Sequence, residues 1–187
     1  TNEINRLLVV ESATKRAMKG EYDLFGPAKE LYENLDNITD GQVAGESYFD
    51  QKKRYMKNFK KAIMIMIHAT MEKLGKKYMA EQEVVNNLAN MIMELYMVES
   101  MALRIEKLES INGTRDVYRD MLNVFTYDTA YLIRKNARDA IYSITEGKEA
   151  DALIKAIKNL THVEGVNTMA ARRRIADRLI EDNEYKF

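Results

Sequence analysis

Apolar side chains recur at steps of three and four residues along most of this chain, and nowhere do apolar and polar positions alternate as in a half-buried strand. Ile4, Leu7, Leu8, Val10, Ala13, Ala17 and Met18 mark a first helix over residues 3–18, and Gly20 is placed to stop it. From residue 21 to 45 the pattern weakens, and Gly26-Pro27, Asn37, Asp40-Gly41 and Gly45 punctuate it. A short helix over residues 27–35 fits there, with Pro27 in its first turn, where the missing N–H breaks no helical bond. The stretch reads as a linker between two units.

Three long helices follow. The first is expected over residues 47–77, with Ser47 as N-cap and Asp50 three residues on, a near relative of the capping box. Phe49, Met56, Phe59, Ile63, Met66, Thr70 and Leu74 form its apolar stripe. Lys52, Lys53, Arg54, Lys57, Lys60 and Lys61 are assigned to the opposite face, and Gly75 lies near the end. The second, over residues 80–109, carries Val84, Leu88, Met91, Leu95, Val98, Ala102, Ile105 and Leu108, and Asn112-Gly113 ends it. The third, over residues 115–144, is expected to be capped by Thr114 and stopped by Gly147. Val117, Met121, Val124, Phe125, Tyr131, Leu132 and Ile141 are its apolar side, and Asp128, on the same stripe, needs a partner if buried. Two shorter helices, residues 150–160 and 168–182, flank a turn at Val163-Glu164-Gly165.

Short connections make neighbouring helices antiparallel, so the long helices run up, down and up. The predicted fold is all-α: an up-down bundle of three long and two shorter C-terminal helices, preceded by a separate N-terminal helix and linker. The expected units are residues 1–20, 21–45 and 46–187. Composition agrees, since a single proline leaves long helices uninterrupted. At 187 residues the chain is long enough to bury a core.

Charge removes some possibilities. Twenty-nine basic residues balance 29 acidic ones, so no overall field favours nucleic acid or an acidic partner. The absence of cysteine excludes disulfides, thiolate metal sites and thiol catalysis, and it fits a reducing compartment. No apolar run reaches the roughly 18 residues that cross a bilayer, and no signal-peptide pattern is visible.

Candidate chemistry is thin. A di-metal bundle site wants Glu three residues before His, but Ile65 precedes His68 and Asn159 precedes His162. No metal site is therefore expected, and His68 reads as a hydrogen-bonded core or boundary residue. No phosphate-binding glycine motif or nucleophile elbow occurs. The basic face from Lys52 to Lys61 reads as a solvated surface paired with acids such as Glu81 and Glu83 rather than a site for an anionic membrane. Arg172-Arg173-Arg174 reads as helix surface paired with Glu181, Asp182 and Glu184. It lacks the interleaved aromatics of a nucleic-acid site. Met64, Met66, Met91, Met93, Met97 and Met101 read as core filler.

The opening stretch, Thr1-Asn2-Glu3-Ile4-Asn5-Arg6-Leu7-Leu8-Val9, resembles the end of the Glu-Gly-Thr-Asn-Glu-Ile-x-Arg signature of the acyl-CoA dehydrogenase family. The rest resembles, in layout, the extra C-terminal helical domain of the very-long-chain subgroup: a post-signature helix, a loose linker, then long helices. The resemblance implies an FAD-dependent parent enzyme that oxidises a fatty acyl-CoA to the trans-2-enoyl-CoA. Its catalytic base would be the signature glutamate, which would precede Thr1, so no catalytic residue is expected here. Thr1, Asn2 and Glu3 are the cofactor-adjacent positions it implies, with FAD bound by the parent and none expected on this fragment alone. Arg6 belongs to the motif without an assigned role.

The resemblance also implies partners: the rest of the parent dehydrogenase, a second copy in a homodimer, and, through the parent, acyl-CoA and electron-transfer flavoprotein. It implies a bacterial-type cytoplasmic or mitochondrial matrix setting. The linker, with Glu21, Asp23, Glu30, Glu33, Asp36 and Asp40, is net acidic, which argues against membrane contact. The first helix would have lost its packing partners to the cut, and it is expected to pack on another copy or across its own bundle. Set beside this, the residues alone also permit a free-standing helical interaction module.

Overall fold

A computed structural model describes residues 1–183 and is all-α among them, with no strand: α1 (Asn2–Met18), α2 (Phe25–Glu33), α3 (Tyr48–Leu74), α4 (Gln82–Asn112), α5 (Asp116–Ile144), α6 (Gly147–Leu160) and α7 (Thr168–Asp182). Two short 3-10 segments, Leu35–Asn37 and Gly75–Ala80, follow α2 and α3. The central layer is α3, α4 and α5, each touching the other two. Cross-helix pairs fix their directions. Lys53 meets Glu106 and Lys60 meets Glu99, so α3 and α4 are antiparallel. Asn90 meets Asn136 and Glu109 meets Arg119, so α4 and α5 are antiparallel as well. Around this layer α1 lies on α4, α2 on α3, α6 on α3 and α5, and α7 on α5.

Local chemistry sets most helix ends near their expected places. The Ser47 hydroxyl accepts from the Asp50 N–H at 3.2 Å and donates to its carboxylate at 2.6 Å, which fixes the start of α3. α1 closes with two bonds: Gly20 N–H to the Ala17 carbonyl and Glu21 N–H to the Arg16 carbonyl, with Gly20 left-handed at φ +76°. That is the Schellman arrangement, in which a residue without Cβ relieves the strain.

Several boundaries differ from expectation; α2 is shifted two residues earlier and α4 runs three residues further, to Asn112. α3 stops at Leu74 rather than residue 77, because Gly75 leaves the helix at φ +55° and the chain tightens into a 3-10 segment through Ala80. Thr114 does not cap α5. Arg115 is the N-cap, and the Thr114 hydroxyl donates to Glu109 instead. Gly147 opens α6, and α5 has already ended at Ile144.

The apolar stripe of α5 holds in part: Val124 and Ile141 are buried and Val117, Met121 and Phe125 lie against the core, but its other members do not. Tyr131 and Leu132 are 52% and 42% exposed, while Thr129, Ala130, Ile133, Ala137, Ala140 and Ile141 are buried. α5 is enclosed by four other helices. Small side chains let those backbones approach, so the buried arc is marked by alanine rather than by bulk. The α3 and α4 stripes lie in the core as read, with Met56, Phe59, Ile63, Met66, Thr70, Val84, Leu88, Met91, Val98, Ala102 and Ile105 all buried. The methionines divide: Met66 and Met91 are core, whereas Met97 is 41% exposed.

The arginine run pins α7 to α5 rather than pairing along its own helix. Arg174 grips Asp120 through two bonds, Nε to Oδ2 at 2.7 Å and Nη2 to Oδ1 at 2.6 Å, and Arg172 meets Asp128 at 2.6 Å. Asp128 is thus half-exposed and paired, and Asp120 is the buried acid. Asp182 pairs with Arg178 at 2.9 Å, Glu181 stands 3.9 Å from it, and Glu184 lies outside the described residues. Lys53 and Lys60 are paired as expected of a solvated surface, but with Glu106 and Glu99 of α4 rather than Glu81 or Glu83, whereas Arg54 and its partner Glu46 are largely buried.

Candidate functional site

Thr1, Asn2 and Glu3 stand together at the exposed start of α1. Thr1 is the N-cap: its carbonyl accepts from the Asn5 N–H at 3.0 Å, but its hydroxyl makes no capping bond. The N–H groups of the first turn precede any intrahelical acceptor and carry the positive end of the helix dipole. The Glu3 carboxylate accepts from Arg6 Nη1 at 2.5 Å, which draws its charge along the helix flank. A free hydroxyl, an amide and unpaired N–H groups on one helix end form a donor set suited to the oxygens of a cofactor. Arg6 Nε is buried without a partner, so the motif arginine is incompletely satisfied.

α1 itself has two faces. Val10, Thr14 and Ala17 are buried against the bundle, and the Thr14 hydroxyl bonds Tyr78 Oη at 2.8 Å. The helix therefore packs across its own bundle, one of the two arrangements expected of it. Ile4 and Leu8 point away and are 63% and 50% exposed. Beside Leu8 an open groove runs past Asn5, Ser12, Arg16 and Tyr22. The segment after α1 is docked rather than loose: Ala28 is fully buried, and Leu24, Leu31, Tyr32, Leu35 and Ile38 lie against the core.

The histidines serve structure. His68 lies against the Tyr32 ring, with centroids 4.8 Å apart, and its Nε2 is 3.4 Å from Glu72. His162 Nδ1 bonds Asp40 Oδ2 at 2.9 Å, and that bond holds the Asp40 carboxyl below its ordinary value. Among the described residues no group of three or more His, Asp or Glu side chains is placed to hold a metal ion.

One cationic residue was misplaced by sequence reasoning. Lys52 is not on the solvated face of α3: it is 5% exposed, with its ammonium 5.0 Å and 5.4 Å from the Tyr48 and Tyr55 ring centres. Burial pushes its pKa down to about 8. A signal was present, since position 52 falls in helical register with Met56, Phe59 and Ile63. It lines a cavity of about 320 Å³ between α3, α5 and the α6–α7 connection.

Residues 58–159 match the family described as acyl-CoA dehydrogenase, C-terminal domain. The chain belongs to that family. A probable acyl-CoA dehydrogenase of Bacillus subtilis (strain 168) is 30% identical to it across 99% of this chain and 31% of the relative. The crystal structure of an acyl-CoA dehydrogenase complexed with FAD from Bacillus anthracis superposes on all of this chain and 32% of its own, with TM-score 0.90 and 28% identity. The chain thus spans about a third of the length of the relatives it matches.

Proposed function

We propose that these residues are the C-terminal helical part of an FAD-dependent acyl-CoA dehydrogenase of the extended, very-long-chain-like kind, and that they serve assembly and stability rather than chemistry. One observation carries the reading: an acyl-CoA dehydrogenase complexed with FAD follows this chain from end to end, at 28% identity and TM-score 0.90. Residues 1–20 are then the last helix of the dehydrogenase domain, 21–45 the linker and 46–187 the appended bundle. The burial of one face of α1 on α4 ties the first unit to the third.

In this reading the parent oxidises a fatty acyl-CoA to the trans-2-enoyl-CoA. The signature glutamate takes the α proton from a position preceding Thr1. FAD, if bound by the parent, would supply the hydride-accepting chemistry. The Thr1 hydroxyl and the Asn2 amide would hold the cofactor by donating to its oxygens, and the Glu3–Arg6 pair would keep carboxylate charge off the helix end. The exposed Ile4 and Leu8 pack against the rest of the parent. A second copy completes a homodimer, electron-transfer flavoprotein takes the electrons, and the setting is cytoplasmic or matrix-facing. No described helix is long and apolar enough to cross a membrane.

The test is a flavin spectrum of the full-length protein, followed by anaerobic addition of acyl-CoAs of graded chain length. Bleaching is expected, and the preferred length sets the subgroup. A folded protein with no flavin and no bleaching would leave the helical interaction module.

A further inference from the structure

Lys52 places an amine inside the molecule. The residue is 5% exposed, and among the described residues it makes no hydrogen bond or ion pair. Its nitrogen is nonetheless not among the buried polar atoms sealed from water, so it opens on the cavity of about 320 Å³ that it lines.

The surroundings of that nitrogen favour its uncharged form. The Tyr48 and Tyr55 ring centres lie 5.0 and 5.4 Å from it, and both rings also carry a guanidinium, Arg119 at 4.5 Å and Arg54 at 4.8 Å. A ring face shared between cations holds each less firmly. On the other walls, Asp120 is held by both arms of Arg174, and Glu164 is exposed and makes no ion pair with Lys52. Burial outweighs the attraction of Glu164 and pushes the Lys52 pKa down to about 8. At pH 7 roughly one chain in ten then carries the free amine, against fewer than about one in a thousand for an exposed lysine.

A desolvated lysine amine is a nucleophile toward carbonyl carbon. The electrophile that suits this one is small and neutral. At about 320 Å³ the cavity falls at the small end of ligand pockets, roughly 300–1,000 Å³. The reacting form of Lys52 has no charge with which to hold an anion, and Glu164 is a standing negative charge on the wall. Tyr48, Tyr55 and Tyr127 offer apolar faces to a short carbon chain.

We propose that Lys52 is a covalent capture site for small neutral aldehydes, which it holds as an imine. The lone pair of the neutral amine attacks the carbonyl carbon, and the π pair moves to oxygen. One amine proton passes to that oxygen, giving a carbinolamine. The hydroxyl then leaves with the second amine proton as water, and the nitrogen lone pair forms the C=N bond. No oxidant or reductant is consumed.

Propanal is the probe, on the full-length protein, with cyanoborohydride to reduce the imine to a stable secondary amine and peptide mass spectrometry to locate it. Lys57 and Lys158, exposed and without an ion pair among the described residues, are the references. At pH 7 Lys52 should be modified at least about fivefold faster than either, and a smaller ratio would overturn the assignment. The ratio should shrink as pH rises from about 7 to about 10, because Lys52 is fully deprotonated first. A ratio that holds constant over that range would also overturn it. Glyoxylate, an anionic aldehyde, should favour Lys52 over Lys57 by a smaller factor than propanal does, and an equal or larger factor would overturn the neutral class. All three readings are taken on the unaltered protein, so none depends on a variant that folds.

Discussion

Thr14 and Tyr78 share a buried hydrogen bond, Oγ1 to Oη at 2.8 Å, across 64 positions of sequence. It joins α1 to the 3-10 segment that follows α3. Thr14 also donates toward the Val10 and Glu11 carbonyls, so the hydroxyl is held in place whichever partner takes its proton. Around it Val10 is fully buried, and the contact clasps α1 to the bundle while Ile4 and Leu8 stay exposed. Removing the phenol hydroxyl with Tyr78→Phe leaves the ring packed and deletes only the clasp. We expect a loss of about 0.5–1.5 kcal/mol in urea unfolding. Hydrogen exchange should accelerate in α1 before α4 or α5. Unchanged exchange in α1 would show that apolar packing alone holds the helix.

Glu149 ties three elements. Its carboxylate accepts from Lys73 at 2.5 Å, from the Tyr32 hydroxyl, and from the Thr145 hydroxyl at 3.1 Å. The bond from Lys73 is the largest cause, followed by that from Tyr32, and together they hold the Glu149 carboxyl below its ordinary value of 4.5. Its stabilising contribution is therefore complete above about pH 4.5 and lost as pH falls through the lower folded-state value. Asp40, lowered by His162, acts in the same direction. Glu149→Gln cannot titrate, so the stability gap between the parent chain and this variant should close as pH drops from about 5 towards 3. A gap that is constant over that range would remove Glu149 from the acid response.

Much of the fold is legible in the residues because its helices are long and its core stripes are aliphatic. The registers of α3 and α4 follow from Phe59, Met66, Leu88 and Met91, all buried. The register of α5 follows only in part, through Val124 and Ile141, because its other tight contacts are made by Ala130, Ala137 and Ala140, residues that carry little hydrophobic weight in a periodicity. Tyr131 and Leu132 carry more and point outward. Lys52 is hidden by its neighbours: five cations within the next nine residues draw it to the charged face, although its register places it in the core. The docking of residues 24–38 is likewise tertiary in origin. It depends on Tyr32 reaching Glu149 and Asn159 reaching the Ile38 carbonyl, contacts spanning 117 and 121 positions. Thr1, Asn2 and Glu3 are singled out only by a resemblance, since nothing in their spacing alone denotes a cofactor.

Thr1 offers a direct test of that resemblance. Its hydroxyl makes no capping bond and the residue is exposed, so the bundle does not depend on it. In the full-length protein, Thr1→Val should leave the melting temperature nearly unaltered and weaken FAD retention by about two- to tenfold, the effect of one hydrogen bond. Fluorescence of released flavin on dilution measures this. Retention equal to that of the parent protein would take Thr1 out of the cofactor site.

Lys52 makes the opposite pH prediction to Glu149. In the folded chain burial lowers its pKa from 10.5 to about 8, and the attraction of Glu164 recovers only part of that. At neutral pH both folded and unfolded chains carry the proton, and the folded chain bears the cost of burying the charge. Between about pH 8 and 10.5 the folded chain releases the proton while the unfolded chain keeps it, so this site's destabilisation fades as pH rises. Lys52→Met keeps the length of the side chain and removes the charge. At pH 7 it should be more stable than the unaltered chain by about 1–3 kcal/mol, less than the full shift from 10.5 to about 8 because contacts with the Tyr48 and Tyr55 rings are lost. The advantage should shrink steadily above about pH 8. A variant less stable than the parent at every pH would mean that the ring contacts outweigh desolvation. Lys52 would then hold α3 in place through Tyr48 and Tyr55.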